Sequence, residues 1–256
     1  MRVLVTRPES EARRWVEELR RRGLDAQSLP LIEIAPVAGG AAIALAWQQL
    51  DRFRAAMFVS GNAVRYFFGQ KPAGAHWPAQ VRAWSPGAGT RDALLAAGVD
   101  AKLVDAPPPD AAQFDSETLW QQVASQVAAG DRVLIVRGGD AQGSSSGRDW
   151  LADQLVAAGA QVEFVVAYRR QPPRLSEEQL AYARQSTSGD GCVWLFSSSQ
   201  AIAHLQGLLP GHDWAHGRAV ATHARIAKAA RGAGFGVVCE SRPSMDAVVA
   251  ALESIR

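Results

Sequence analysis

Val3 to Arg7 reads VLVTR, and Val133 to Arg137 reads VLIVR. Two further pairs accompany them. Phe58 to Val64 (FVSGNAV) returns in looser form as Phe196 to Ile202 (FSSSQAI), and Thr90 to Val99, ending in AAGV, returns as Ile226 to Phe235, ending in GAGF. The landmarks keep one order at a spacing of roughly 130 to 138 residues. That period is far longer than a stacked solenoid repeat, so the chain is a duplicated unit of domain size. Two similar lobes predict a cleft between them, and a cleft is where chemistry would sit.

Around the opening runs, short apolar stretches alternate with helical patterns, the rhythm of an α/β protein with parallel sheets. Val3 to Val5 reads as a buried strand. Pro8, Glu9 and Ser10 open a helix whose apolar stripe is Ala12, Trp15, Val16 and Leu19, and Gly23 ends it. The same grammar follows Val133 to Val136: a helix from about Asp149 carries Leu151, Leu155 and Val156 and stops at Gly159. Further strands are expected near Ala55 to Val59, Val81 to Trp84, Ala101 to Val104, Cys192 to Phe196, Ala219 to Ala221 and Gly236 to Cys239, about five per lobe. Ser176 with Gln179 fits a capping box, Ser116 and Ser244 are expected N-caps, and Asp105 to Asp115, with three consecutive prolines, reads as a surface loop.

Two segments decide the domain organisation. Leu31 to Val37 (LIEIAPV) and Val162 to Arg170 (VEFVVAYRR) are extended and apolar, and they hold the same place in each repeat. If both cross between lobes, the first lobe is discontinuous, 1–34 with 171–256, and the second is 38–166. If neither crosses, the lobes are in tandem and split near Asp131.

Composition narrows the function classes. The 256 residues are 48% hydrophobic and 20% charged with a net charge of +2, and the longest basic run is Arg20 to Arg22. A soluble globule is expected, with neither nucleic acid nor a membrane as partner. The start MRVLVTRPES lacks the apolar region of a secretory signal, so a cytoplasmic location is expected. Cys192 and Cys239 are the only cysteines and lack CxxC spacing, which argues against a zinc site or a disulfide framework and for buried, inert thiols.

Phosphate-binding glycine patterns are missing: neither opening strand leads into GxGxxG, and no Walker sequence occurs. Gly143 to Gly147 (GSSSG) matches the form of a nucleophile elbow, but Gly138 to Gln142 separate it from the strand, so it reads as a polar loop. Of the five histidines only His212 and His216 have ligand spacing, and Pro210 and Gly211 beside them disfavour the helix that would align them. What remains is a set of hydroxyl-bearing and basic residues where strands give way to helices: Thr6 and Arg7; Ser60, Gly61 and Asn62; Ser85 with Gly87 to Thr90; Arg137 and Gly138; Ser197, Ser198 and Ser199; Thr222 and His223. In an open parallel sheet ligands bind at this edge. Backbone N–H groups at helix starts, helped by hydroxyls, suit carboxylate or phosphate. Each such hydrogen bond contributes only about 1.5 to 3 kcal/mol, so several must act together.

The chain resembles the uroporphyrinogen-III synthase family. The matching landmarks are VLVTRP at Val3 to Pro8, the run Leu29 to Ile34, FVSGNAV at Phe58 to Val64, GAGTRDAL at Gly87 to Leu94, VLIVRG at Val133 to Gly138, the stretch Gly147 to Tyr168, LFSSSQAI from Leu195, and ESRPSMDAVVAAL from Glu240. They span nearly the whole chain, and their order and spacing carry the likeness. The resemblance implies two Rossmann-like or flavodoxin-like lobes joined by a two-stranded ladder, which selects the discontinuous arrangement. It implies action on hydroxymethylbilane, a linear tetrapyrrole with eight carboxylates; a monomer is expected. The terminal hydroxyl leaves as water, a spiro intermediate forms at the last ring, and the macrocycle closes with that ring inverted, without metal or organic cofactor. Lobe closure would shield the cationic intermediate from water. Tyr168 matches the family's tyrosine at the end of the second crossing strand and is the expected general acid; a tyrosine that only packs and anchors substrate is the alternative. Thr6, Arg7, Ser60, Gly61, Asn62, Gly87, Thr90, Arg137, Gly138, Arg148, Ser197, Ser198, Ser199, Thr222 and His223 are the expected substrate-binding residues. One departure stands out: the family repeats a glycine followed three residues later by threonine, which Gly87 and Thr90 keep, whereas His223 and Ile226 occupy the second copy.

A rival of another class is a two-lobed cytosolic protein that binds an acidic small molecule without transforming it. Incubation with hydroxymethylbilane separates the two.

Overall fold

The structure is a computed structural model that describes residues 1–108, 115–140, 150–187 and 191–255. In chain order the elements are β1 (Arg2–Val5), α1 (Glu9–Arg21), β2 (Asp25–Ser28), β3 (Glu33–Pro36), α2 (Ala41–Gln48), β4 (Ala55–Phe58), α3 (Gly61–Gly69), β5 (Arg82–Trp84), α4 (Ala88–Ala96), β6 (Val104–Asp105), α5 (Ser116–Val123) and β7 (Arg132–Gly139). Then follow α6 (Trp150–Ala157), β8 (Gln161–Gln171), α7 (Glu177–Gln185), β9 (Cys192–Phe196), α8 (Ser199–Leu208), β10 (Arg218–Ala221), α9 (Ala224–Gly232), β11 (Val237–Glu240) and α10 (Met245–Ser254).

The chain forms two compact units, one of Met1–Glu33 with Gln171–Arg256 and one of Ile34–Arg170. The first holds a five-stranded sheet in the order β11-β10-β9-β1-β2. Counted along the chain within that unit, this is 2-1-3-4-5, the flavodoxin-like order. The second holds β3-β8-β7-β4-β5-β6. Setting β3 aside and counting from β7, it has the same 2-1-3-4-5 order in circularly permuted form. The duplicated VLVTR and VLIVR runs therefore occupy the same strand of each sheet.

Both opening strands are central, with parallel neighbours on each side. A strand covered on two faces needs continuous apolar residues, and Val3, Leu4 and Val5, like Val133 to Val136, are all buried. In the first unit α1 and α10 cover one face through Ala12, Val16, Leu19, Val248 and Leu252. Gly23, at φ 79°, takes the left-handed turn that stops α1 and lets Leu24 fold back under it. In the second unit Trp47, Phe58, Phe67, Phe68 and Trp77 form one aromatic cluster with centroid separations of 4.8 to 6.3 Å.

The segments read as linker strands are β3 and the larger part of β8, hydrogen-bonded neighbours at the edge of the six-stranded sheet. Three local expectations need correction. Ala101 to Leu103 is a 3-10 turn rather than strand, because the Asp100 carboxylate accepts from Lys102 N at 2.9 Å; only Val104 and Asp105 remain extended. Arg82 fastens that short strand through two contacts with Asp105, at 2.8 and 2.5 Å. Asp115, not Ser116, caps α5, its carboxylate reaching Thr118 N at 2.8 Å. Cys239 lies on an edge strand and is partly exposed, whereas Cys192 is buried. Ser176 and Gln179 form the expected capping box, and Ser244 caps α10. No helix among the described residues is long and apolar enough to cross a membrane.

Candidate active site

In the 2-1-3-4-5 order the strand sequence reverses direction between the first and third strands, and the carboxyl ends of that pair frame the natural ligand crevice. In the first unit the pair is β1 and β9, followed by Thr6-Arg7 and Ser197-Ser198. In the second it is β7 and β4, with Gly138 at the end of β7 and Ser60-Gly61 just after β4. Each crevice thus gathers residues distant in sequence.

In the second unit Ser60 caps α3, accepting from Ala63 N at 3.2 Å, so Gly61 and Asn62 begin the helix at the crevice. Gly61 lies close to the start of α4: a β-carbon there would stand 3.6 Å from Gly89 O. Gly87 caps α4 with Ser85 bonded across it, Ser85 Oγ donating to Gly87 O at 2.7 Å, and Thr90 is buried on the first turn. Arg137 is buried with its guanidinium 4.7 Å above the Phe164 ring.

Tyr168 reaches this place through an irregularity. From Arg132 to Arg137, β7 pairs with Gln161 to Val166 one for one; then Gly138 pairs with Tyr168, and Ala167 is the extra residue of a bulge. Bulges re-aim side chains, and here Ala167 and Tyr168 are both buried in succession. The Tyr168 ring lies against Gly138, where a β-carbon would stand 2.5 Å from Cζ. Its hydroxyl is 3.1 Å from Ser60 Oγ and receives Arg170 Nη2 at 3.3 Å. Tyr66 tilts over it at 5.9 Å and donates its own hydroxyl to Ile34 O at 2.8 Å. Tyr168 itself has 0% exposure.

The first unit's crevice is built differently. Thr6 Oγ1 donates to Leu195 O at 2.8 Å and is buried, so that hydroxyl is committed to joining β1 with β9. Arg7 stacks on Trp15 at 4.4 Å and bonds Glu11 at 3.2 Å, while its Nε is buried with no hydrogen-bond partner among the described residues. Burial pulls this guanidinium below the usual arginine value, and Glu11 pulls it partly back. Ser198 caps α8 through Gln200 N at 3.2 Å, and Ser199 Oγ is a second buried polar atom at this crevice without a partner among the described residues. Ser197 is half-buried between them and β9. One strand further out, Thr222 is buried and His223 caps α9, its Nδ1 accepting from Arg225 N at 3.0 Å.

The structure thus groups Ser60, Gly61, Gly138 and Tyr168 at one crevice and Thr6, Arg7, Ser197, Ser198 and Ser199 at the other. Gly87, Thr90, Thr222 and His223 lie on the next strand-to-helix loop of their own unit. Arg148 and the GSSSG loop lie outside the described residues. His212 points its Nε2 at Thr187 Oγ1, 2.9 Å away, and packs on Trp214. Sequence reasoning missed Arg170 and Tyr66. Arg170 was open to discovery, since residues two apart on a strand share a face; Tyr66 carried no comparable signal.

The family model described as uroporphyrinogen-III synthase HemD matches residues 13–250. The uroporphyrinogen-III synthase of Chlorobaculum parvum is 32% identical over 185 residues, 69% of this chain and 67% of its own length. That of Escherichia coli K12 is 29% identical over 262 residues, covering 99% of this chain and 100% of its own. Among solved structures, the uroporphyrinogen-III synthetase of Helicobacter pylori 26695 matches with a TM-score of 0.62 at 14% identity over the full length of both chains. A mutant uroporphyrinogen III synthase of Thermus thermophilus matches with 0.55 at 15% identity, covering 99% of this chain and 98% of that one. Likeness at that identity speaks for the fold; the family match and the relative at 32% identity speak for descent. The chain belongs to the uroporphyrinogen-III synthase family.

Proposed function

We infer that the chain cyclises hydroxymethylbilane to uroporphyrinogen III, losing the terminal hydroxyl as water and inverting the last ring. The observation that carries this reading is the family match over 13–250, a span that contains Ser60, Gly138 and Tyr168 and the α8 start at Ser198 and Ser199. Because the free bilane closes to the wrong isomer unaided, the protein's task is to hold one folded conformation, which is catalysis by positioning. Helix starts at Gly61 and Ser199, the Ser197 and Ser198 hydroxyls and the Arg7 guanidinium are suited to carboxylates. Gly87, Thr90, Thr222 and His223 extend each set by one loop. Mostly neutral donors at about 1.5 to 3 kcal/mol each hold a many-armed acid without the uniform binding that would favour ground and transition states alike. In this reading the protein works in the cytoplasm as a monomer, with a small-molecule substrate and no nucleic-acid partner.

The test is incubation with freshly made hydroxymethylbilane, oxidation of the product and separation of the porphyrin isomers. Isomer III is expected. Isomer I alone, at the rate seen without protein, would leave the chain as a binder of acidic ligands.

A further inference from the structure

Tyr168 is wholly buried, whereas Ser60, bonded to it, is half-buried at the crevice. The hydrogen bonds around the pair have one consistent direction. A guanidinium has no acceptor, so Arg170 donates to the phenol oxygen. If Ser60 donated to it as well, the buried phenol proton would have no acceptor among the described residues; Tyr168 therefore donates to Ser60 Oγ. That oxygen also accepts from Ala63 N. Both acceptor sites of the serine are then used, and its own proton remains to be given away.

We propose that Ser60 is the catalytic residue that protonates the departing hydroxyl, and that Tyr168 is a positioning residue acting through Ser60, with Arg170 fixing the direction of the chain. The proposal rests on the cyclase reading above. In the step, the Ser60 O–H bond breaks as its proton joins the leaving oxygen. The C–O bond breaks with its electron pair going to water, and the pyrrole ring supplies electrons to the carbon left behind. The Tyr168 proton moves to Ser60 Oγ. When the macrocycle later closes, the attacked pyrrole carbon loses one proton, which returns by the same route, so the net loss is one water.

Ser60→Asn tests this, because asparagine keeps the helix cap yet passes no proton; Ser60→Gly, also a tolerated cap, serves if that variant fails to fold. Wild type should form isomer III. Ser60→Asn and Tyr168→Phe should each lower kcat by about 100-fold or more with KM within about 3-fold. The double variant should fall no further, since the two act as one unit. Ser60→Thr should recover kcat to within about 10-fold of wild type, and a proton inventory in mixed light and heavy water should be curved for wild type and straight for Ser60→Asn. A folded Ser60→Asn or Ser60→Gly that keeps its kcat overturns the relay, as do single losses that multiply in the double variant. Failure of wild type to form isomer III strikes the cyclase reading instead.

Discussion

The two units share a strand order and an opening strand, and they part company at the strand beside it. In the first, β2 ends at Ser28, and only Leu29 N and Leu31 N follow it along β1, bonding Val5 O and Thr6 O at 3.0 and 3.2 Å. In the second, β8 continues alongside β7 past the crevice, takes up Ala167 as a bulge and delivers Tyr168 onto Gly138. The position after the landmark arginine is Pro8 in one copy and Gly138 in the other. Duplication thus supplied one frame twice. On the reading proposed above, a single added strand length makes one copy the place where protons move, while the other keeps a committed threonine, a stacked arginine and one capping serine for holding. The division of labour follows from chain geometry beside the switch point.

The sharpest way to break this contrast is Gly138→Ala. A β-carbon 2.5 Å from Tyr168 Cζ must push the ring off Ser60. Overpacking of this kind costs about 1 to 3 kcal/mol, and losing the aligned proton donor costs about 100-fold or more in rate. Steady-state assay of isomer III formation should show kcat falling by about that factor with KM little changed. Full activity would mean that the ring and Gly138 do not set the alignment.

Next in size is Arg7→Met in the holding unit. The guanidinium is kept although burial disfavours its charge and Nε lacks a partner among the described residues. Replacing such a group by an apolar one of similar volume is often neutral or stabilising. Thermal unfolding should therefore show no loss, or a gain of about 1 kcal/mol, while KM rises about 10-fold or more, the worth of a hydrogen bond to a carboxylate. A variant that loses stability and keeps its KM would make Arg7 structural.

How much of this was legible beforehand differs between frame and detail. Val3 to Val5 and Val133 to Val136 announced themselves because a central parallel strand tolerates no polar residue, and Ser60, Ser176, Ser198 and Ser244 mark helix starts by a local rule. The neighbourhood of Tyr168 was visible only in part. Its burial depends on a bulge that no periodicity encodes, and the Ser60 contact joins residues 108 apart. Thr6 was expected to meet substrate; that its hydroxyl serves Leu195 O depends on β1 lying beside β9, a pairing across 189 residues. Asp100 and Asp115 show the same limit at short range, where the first carboxylate shifted a strand start and the second a helix cap.

Thr6→Val follows in the order of effect. It leaves Leu195 O with one donor fewer inside the crevice, since Thr6 N also reaches it at 3.3 Å. The loss should be about 1 kcal/mol of stability, read by denaturant unfolding, with KM changed by less than about 3-fold because the hydroxyl is committed to Leu195 O. A KM effect larger than that of Arg7→Met would reverse the assignment.

The smallest effect on the reaction is expected where the copies differ on the loop one strand out. Gly87 and His223 are both N-caps, and Thr90 and Ile226 are both the third helical residue, buried in each unit. The exchange His223→Gly with Ile226→Thr makes the first unit's loop like the second's. Glycine replaces a ring whose Nδ1 accepts from Arg225 N, at a cost of a few tenths of a kcal/mol. Threonine buries a hydroxyl where isoleucine packed, which costs about 1 to 2 kcal/mol unless a partner is found. Since His223 Nδ1 is taken up by Arg225 N and position 226 is buried, kcat should stay within about 2-fold and KM should move by about 2- to 3-fold at most. A drop in kcat comparable to that of Gly138→Ala would show that the first unit takes part in the proton chemistry, and the division between the two copies would fail.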